Sequence, residues 1–226
     1  MAVSPSDEQY IADHLVFWQH LSAQEKRMLV SGAAVVHYPA KYTLRTGDRT
    51  CIGILLVKTG QLRVSLLSQE GRSVTLFRIQ PGNVCVLSAS CVLDAISFDV
   101  CIDTDADTEV IVIEPQIFRR LVDSNIYVKE YGYETASKRF TEVMWSMQQI
   151  LFMKFDRRLA IYLCGYAERT GKNKIDLTHE QIAADTGSAR EVVSRMLGYF
   201  ASENAVTLSR GSIEITDISK HKKIAG

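Results

Sequence analysis

The sequence predicts an α+β chain in which a β-rich N-terminal part is followed by a long helix and a C-terminal winged helix-turn-helix. Three observations support this prediction. Turn glycines recur at positions 47, 60, 71 and 82, between short apolar stretches. Apolar residues at steps of three and four then run from Tyr133 to Ile150. The stretch 177–217 holds two short amphipathic helical patterns around one glycine, followed by an alternating hairpin pattern.

The first local signal is a short helix over residues 22–32. Ser22 and Glu25 have the spacing of a capping box, in which each side chain accepts a hydrogen bond from the other residue's backbone N–H. Gly32 suits the C-terminal end of such a helix. We expect this helix to lead directly into a sheet.

Residues 33–114 are predicted to be all-β. Leu62, Val64 and Leu66 alternate with polar residues, as in a strand with one buried face. The segment 68–71 has the composition of a hairpin turn before the next strand. Short strands with a turn about every 8–12 residues are typical of a sandwich or jelly roll. The predicted architecture is therefore a double-stranded β-helix, or β-roll.

Three helices are predicted next, at Gln116–Val122, at about 125–152 and at about 155–169, with a hinge at Phe155-Asp156. The long helix carries a heptad seam that either pairs with a second copy of the chain or packs on the chain's own β-roll. Dimerisation is favoured, because helix-turn-helix proteins read palindromes as two-fold dimers. The seam consists of Tyr133, Ala136, Phe140, Val143, Met147 and Ile150.

The helix-turn-helix pattern begins at Thr178, an N-cap residue with Gln181 at capping-box spacing. Gly187 can adopt the positive φ that a tight turn between helices requires. Ser188 is predicted to open the second helix, with Glu191 three residues later. A final hairpin over residues 206–216 would form the wing, with Arg210 and Gly211 at its tip.

The second helix has the chemistry of a helix that reads the DNA major groove. Arg190, Glu191 and Arg195 fall on one face, where a guanidinium can bond both acceptors of guanine and a carboxylate can accept from the cytosine amine. For Glu191 a purely structural role as the capping partner of Ser188 stays open. The expected contacts to backbone phosphates are Ser188, Ser194, Thr178 and Arg210.

The segments Thr178–Ala183 and Arg190–Arg195 resemble the Crp/Fnr family of bacterial transcription regulators. Glu-x-x-Ser-Arg is similar to the recognition helix of the Fnr branch, and Arg-Glu-x-x-x-Arg to that of the Crp branch. The resemblance implies a homodimer on a palindromic operator with TTGA or GTGA half-sites, a β-roll of the cyclic-nucleotide-binding type that senses a signal, and possible contact with RNA polymerase. The implied domains are a sensor domain at 1–123, a dimerisation helix at 124–154 and a DNA-binding domain at 155–226.

The effector pocket implied by the resemblance would include Gly82, Cys85, Ser88 and Cys91. The family's phosphate-binding cassette has a Gly-Glu pair and a nearby arginine, but here no Lys or Arg lies between Arg78 and Arg119. Because a buried phosphate needs a cation, cyclic AMP is disfavoured. A thiol switch or a haem stays open, plain core packing of the cysteines is the simplest alternative, and no cofactor is assigned. Haem ligands by residue type alone would be His14, His20 and His37.

Composition narrows the remaining classes of protein. The 226 residues carry 26 basic and 26 acidic side chains. Residues 154–226 hold 12 basic against 9 acidic, a net charge of +3, so any phosphate contacts should be concentrated there. We expect a cytoplasmic protein without a membrane span, and five cysteines argue against a disulfide framework.

No catalytic or metal constellation is apparent, so we expect neither an enzyme nor a metal site. The spacing of Asp103, Asp105 and Asp107 suggests a calcium loop, but Thr108 stands where glycine is needed. The rival function is a ligand-binding regulatory module of the cyclic-nucleotide-binding type with no DNA role.

Overall fold

The computed structural model describes residues 2–45, 52–68, 73–85 and 100–225. Contacts divide the chain into two compact units. The first comprises Met1–Leu67 and Leu76–Val143, and the second comprises Ser68–Thr75 and Met144–Gly226.

The first unit opens with helices whose ends are fixed by local hydrogen bonds. Ser22 and Glu25 form the predicted capping box at the start of α2 (Ala23–Ser31). Ser4 and Asp7 form another at the start of α1 (Pro5–His14), a helix that was not predicted from the sequence. A 3₁₀ turn at Val16–His20 connects the two helices.

The β-rich part consists of strands β1 (Ala33–Tyr38), β2 (Thr43–Arg45), β3 (Ile54–Thr59), β4 (Leu62–Leu67), β5 (Ser73–Ile79), β6 (Val84–Cys85), β7 (Cys101–Thr104) and β8 (Thr108–Ile113). They form two four-stranded antiparallel sheets, in the orders β1-β8-β3-β6 and β2-β7-β4-β5. Buried side chains from both sheets share one core, so the predicted β-roll is confirmed. Residues 69–71 of the hairpin turn predicted at 68–71 lie outside the described residues.

Strand β3 is covered on both faces, which explains why its sequence is continuously apolar instead of alternating. Leu55 and Val57 point into the core between the sheets. Ile54 and Leu56 belong to a second core that also contains Ile11 of α1. A strand buried on both faces has no polar positions to alternate with apolar ones. The helical layer thus fixes one outer face of the roll.

Asp7 ties α1 to β3 through an ion pair. Lys58 Nζ lies 2.7 Å from Asp7 and 2.5 Å from Glu109. Hydrogen bonds from the Lys58 side chain and from Ser4 lower the pKa of Asp7 to about 2. The same contacts to Asp7 and Glu109 raise the pKa of Lys58.

Asp7→Asn is expected to reduce the free energy of unfolding by about 1 kcal/mol at neutral pH, since this near-surface pair is partly screened by solvent. A lowered carboxylate pKa stabilises the fold fully above about pH 4, and that stability is lost as the pH falls towards 2. Urea unfolding at several pH values should show a flatter acid dependence in the variant. Asp13→Asn, at an exposed carboxylate outside the ion pair, should behave like wild type; equal effects of the two variants would contradict the argument.

The aspartates with calcium-loop spacing are engaged by protein groups. Asp103 bonds Arg63 at 2.8 Å, and Asp105 bonds Arg78 at 2.6 Å. Asp107 accepts a hydrogen bond from the Ala40 backbone N–H at 2.8 Å. In this structure two of these aspartates therefore form ion pairs with arginines, and the third accepts a hydrogen bond that holds a loop.

Helices α3 (Pro115–Ser124) and α4 (Ile126–Phe152) confirm the two helices predicted after the β-rich part. α4 begins against the helical core of the first unit, where Val128 is fully buried. Val143 packs against the core between the sheets. The other side of α4 leaves large apolar side chains exposed.

The second unit is a small helical domain with its own core. Leu159, Val193, Leu197 and Phe200 are among the side chains buried in it. Helix α8 was not predicted. The elements are α5 (Phe155–Thr170), β9 (Lys174–Ile175), α6 (His179–Thr186), α7 (Arg190–Ser202), β10 (Val206–Ser209), β11 (Ser212–Ile215) and α8 (Ile218–Ala225).

Arg158 closes the junction between α4 and α5. Its guanidinium donates to the carbonyl of Ile150 at 3.0 Å and to that of Met153 at 3.2 Å. It also stacks on the Phe155 ring, 5.4 Å from the centroid. Burial lowers the pKa of Arg158, but a guanidinium stays charged in proteins. A cation at the C-terminal carbonyls of α4 stabilises the end of that helix.

In the part of the chain that the structure describes, no helix combines the length and the apolar character that crossing a membrane requires.

Candidate nucleic-acid interface

Helix α6 begins as predicted from its sequence. The Thr178 side chain accepts from the Gln181 N–H at 3.1 Å, and Gln181 Oε1 accepts from the Thr178 N–H at 2.8 Å. The capping box is therefore complete. Thr178 is exposed, and its hydroxyl hydrogen is available to a further acceptor.

The turn between α6 and α7 depends on a left-handed glycine. Gly187 has φ +61°, as predicted, and its N–H bonds the Ala183 carbonyl. The Ser188 N–H also bonds the Ala183 carbonyl, at 2.9 Å. Ser188 therefore belongs to the end of α6, and the prediction that it opens α7 was wrong. The N-cap of α7 is Ala189, which has no capping side chain.

Gly187→Ala is expected to reduce the free energy of unfolding by about 1–2 kcal/mol, because alanine disfavours the left-handed region. The new Cβ would also lie 2.8 Å from Ile150 Cδ1. Gly198→Ala is the matched control, since Gly198 lies in α7 and a methyl added there would meet no atom within 4 Å. That change should be neutral or stabilising by thermal unfolding. A Gly187 variant as stable as the Gly198 variant would refute the strain argument.

Helix α7 divides into a buried and an exposed face. Val193, Leu197 and Phe200 are each 0% exposed and anchor it in the core of the second unit. The predicted contact residues Arg190, Glu191, Ser194 and Arg195 are all exposed. Sequence periodicity thus placed these four residues correctly on the solvent face.

Glu191 has no capping role. A capping box would need a hydrogen bond between its carboxylate and the Ser188 N–H, but that N–H is already bonded to Ala183. Within the described ranges, neither Glu191 nor the guanidinium groups of Arg190 and Arg195 have a hydrogen-bond or ion-pair partner. These side chains are therefore free to meet an external ligand.

The wing is the hairpin of β10 and β11, which pairs Val206 with Ile215 and Ser209 with Ser212. Strand β9 extends this sheet beside β11. The tip turns at Gly211, which has φ +80°, and leaves Arg210 exposed. The predicted wing and its predicted tip are both present.

A cleft of about 500 Å³ lies between the start of α6 and the wing. Thr178, His179 and Arg190 contribute polar or cationic groups from the helix-turn-helix side. Ser209 and Ser212 contribute hydroxyls from the wing side. His179 was not among the site residues predicted from sequence, because its place in the cleft depends on the folded wing.

Asp185 fastens α6 to α5. Its Oδ2 accepts a hydrogen bond from the Tyr162 hydroxyl at 2.7 Å. In the next position, the Thr186 hydroxyl donates back to the Ile182 carbonyl at 2.7 Å. The bond from Tyr162 holds α6 on α5, and the bond from Thr186 closes the last turn within α6 itself. The sequence offered no signal for the distant partner Tyr162.

The predicted dimerisation residues differ in exposure along α4. Tyr133, Phe140 and Met147 are exposed, at 63%, 66% and 43%. Ala136, Val143 and Ile150 are half-buried against their own chain. Exposed apolar residues also include Met144 and Leu151.

The predicted effector pocket is described only in part. Gly82 has φ +81° and closes the turn before β6, where Cys85 is buried. Ser88 and Cys91 lie outside the described residues. Cys101 and Cys164 are buried. Over the described ranges, no three His, Cys, Asp or Glu side chains are grouped as metal ligands.

Comparison with known proteins agrees with this geometry. Residues 157–221 match the family model described as the Crp-like helix-turn-helix domain. A curated relative, the transcriptional regulator SdrP of Thermus thermophilus, is 23% identical over 75% of this chain and 82% of its own length. The cyclic AMP receptor protein of the same organism is also 23% identical, over 76% of this chain and 79% of its own length.

A solved structure gives the decisive similarity. The crystal structure of a Crp/Fnr-family regulator from Eubacterium rectale has a TM-score of 0.91 and 36% sequence identity. The match covers 94% of this chain and 99% of that one. With the β-roll, the long helix and the exposed face of α7, this similarity shows that the chain belongs to the Crp/Fnr family of DNA-binding transcriptional regulators.

Proposed function

We propose that this regulator binds a palindromic operator as a homodimer, with α7 of each protomer in the major groove. The observation that carries the proposal is the exposed set Arg190, Glu191 and Arg195, whose side chains have no partner among the described residues, on a helix anchored by a buried opposite face. Arg190 and Arg195 would contact bases, most favourably guanine, and Glu191 would accept from cytosine or orient an arginine. Ser188, Ser194, Thr178 and Arg210 would contact phosphates.

The dimer would form along the exposed side of α4. Tyr133, Phe140, Met144, Met147 and Leu151 follow one another at steps of 7, 4, 3 and 4, the spacing of a coiled-coil seam. This seam keeps three of the residues predicted from sequence. It replaces Val143 by its neighbour Met144, since Val143 already packs against the core between the sheets.

A two-fold dimer suits the recognition surface. One α7 reads only a few base pairs, and pairing two copies gives an operator with inverted half-sites about one helical turn apart. The signal would enter through the β-roll and bias the arrangement of α4 and the α4–α5 junction, where Arg158 holds the carbonyl end of α4. The sequence argues against cyclic AMP as that signal, because residues 79–118 contain no Lys or Arg. Contact with RNA polymerase and a cytoplasmic location are part of the same proposal.

Selection of bound DNA from a random pool by the full chain, with and without reductant, tests the function. The expected product is an inverted repeat with two identical half-sites. Loss of enrichment under one redox condition would identify a thiol input through the cysteines. Failure to enrich any sequence in either condition would instead favour the ligand-binding module without a DNA role.

A further inference from the structure

We propose that Arg139 of α4 is the anion contact of the effector site, and that the effector is a small organic carboxylate with an apolar body. The inference rests on the proposed function, in which a signal enters through the β-roll, and it names the chemical class of that signal. Its starting point is a guanidinium of α4 that lies against the core between the sheets.

The Arg139 side chain is held against residues of β5 and β6. Its guanidinium lies over the Phe77 ring, 4.9 Å from the centroid, and Nη2 donates to the Val84 carbonyl at 3.5 Å. Phe77 and Cys85 are both buried members of the core between the sheets. The side chain of Arg139 is itself only 15% exposed. A positive charge from α4 is therefore placed beside an apolar core.

This charge reaches the region where the family resemblance implies an effector pocket. Val84 lies between Gly82 and Cys85, the two residues of that pocket that the structure describes. Residues 79–118 contain no Lys or Arg, so the cation of the family's phosphate-binding cassette is missing from this sequence. A largely buried anion needs a cationic partner. Arg139 supplies one from a different element of the first unit.

The present partner of Arg139 is a carboxylate. Nη1 donates to both carboxylate oxygens of Glu142, at 3.0 and 2.8 Å. The side chain of Glu142 is 44% exposed. Because a partly exposed ion pair three residues apart on a helix contributes little stability, Glu142 can turn into solvent and yield the guanidinium to another carboxylate. The ligand's charged group is thus expected to replace that of Glu142.

The same side of α4 determines the rest of the ligand. Tyr131, Thr135, Arg139 and Val143 follow one another at steps of four, so they lie along one side of the helix. Tyr131 and Val143 are half-buried, and each packs against one of the two apolar cores of the first unit. Apolar and aromatic surface thus flanks the guanidinium, and a ligand that meets it needs an apolar body.

A ligand at Arg139 would act directly on the helix that carries the proposed dimer seam. Phe140 of that seam follows Arg139 in the sequence and is 66% exposed. A ligand held between Arg139 and the β-roll fixes this turn of α4 more firmly to the sheets. It would therefore bias the arrangement of the two α4 helices in the dimer.

Titrations followed by saturation-transfer NMR, with the full chain and without DNA, test the site with two matched probes. Benzoate carries a carboxylate on an apolar ring, whereas benzamide has nearly the same shape and no charge. Benzoate is expected to bind about ten-fold more tightly, because a charge-assisted contact adds to the shared ring contacts. Arg139→Gln should remove this difference. Equal binding of the two probes to wild type, or no binding of benzoate, would overturn the inference.

Two control variants address the charges of α4. Lys138→Gln removes an exposed cation next to Arg139 and should bind benzoate as wild type does. Glu142→Gln keeps the guanidinium and removes the competing carboxylate, so benzoate affinity should rise about two-fold or more. Glu134→Gln, at an exposed carboxylate of α4, should leave that affinity unchanged. An unchanged affinity in Glu142→Gln would show a purely structural ion pair and would sink the proposal.

Cyclic AMP serves as the competing anion. It should not displace benzoate from wild type, and displacement that Arg139→Gln abolishes would identify a phosphate site and contradict the proposed carboxylate. The test also separates this inference from DNA binding. If benzoate binds through Arg139 but no operator is enriched, only the sequence-specific function fails. If an operator is enriched and benzoate does not bind, only the carboxylate site fails.

Discussion

Arg195→Ala is expected to weaken binding to the selected operator by about 1–3 kcal/mol and to relax its sequence preference at one position of each half-site. The reason is geometric. Arg195 is exposed on the same face of α7 as Arg190 and Glu191, and the opposite face is fixed by Val193 and Leu197, both 0% exposed. A guanidinium held on such a rigid helix can bond both acceptors of a guanine. Competition binding against operators with single base changes measures both the affinity and the altered preference.

Arg120→Ala is the matched control, because it removes an exposed arginine from α3 of the first unit. It should leave affinity and preference unchanged. If Arg195→Ala weakened DNA binding equally on every sequence, Arg195 would be a phosphate contact and not a base contact. Arg195→Lys gives a further distinction, since an ammonium keeps the charge but loses the two-pronged geometry. Compared with Arg195→Ala, Arg195→Lys should recover more of the affinity for scrambled DNA than of the sequence preference for the operator.

Local chemistry explains which parts of this fold can be predicted from sequence. The capping boxes at the N-termini of α2 and α6, which begin at Ser22 and Thr178, each need only two side chains three residues apart. Both form as expected. The same spacing occurs at Ser4 and Asp7, with Pro5 directly after Ser4, so α1 could have been found by the same rule. At Ser188 the rule fails, because the left-handed Gly187 lets the Ser188 N–H bond back to Ala183. An N–H that is already bonded to the preceding helix cannot also donate to the Glu191 carboxylate, so no capping box forms there, and α7 begins one residue later with Ala189 as its N-cap.

Features that depend on distant parts of the chain could not be predicted in this way. Val143 and Met144 are adjacent and both apolar, so periodicity alone cannot decide which one faces the β-roll. The structure packs Val143 against the core between the sheets and leaves Met144 47% exposed. His179 is a similar case, since its place in the cleft depends on a wing that lies about 30 residues later in the sequence.

Met144→Glu is expected to raise the dimer dissociation constant about 100-fold or more and to abolish tight operator binding at low protein concentration. In a two-fold interface, Met144 of one protomer lies near the axis or faces its copy, so the substitution buries two carboxylates in an apolar seam. A cost of about 2.7 kcal/mol corresponds to that change in affinity. Sedimentation equilibrium measures the dissociation constant, and anisotropy with the selected duplex measures the consequence for DNA.

Lys138→Glu is the matched control, because it adds a carboxylate to the same helix at an exposed position roughly two fifths of a turn from the seam. It should leave the dimer intact, and so should Met144→Leu, which keeps the apolar contact. Since Met144 is already exposed in the single chain, the glutamate should not unfold it. A Met144→Glu chain that stays dimeric would therefore place the interface elsewhere. Weakened binding to half-site DNA would point instead to an effect inside the protomer, because a single α7 needs no partner to reach one half of the operator.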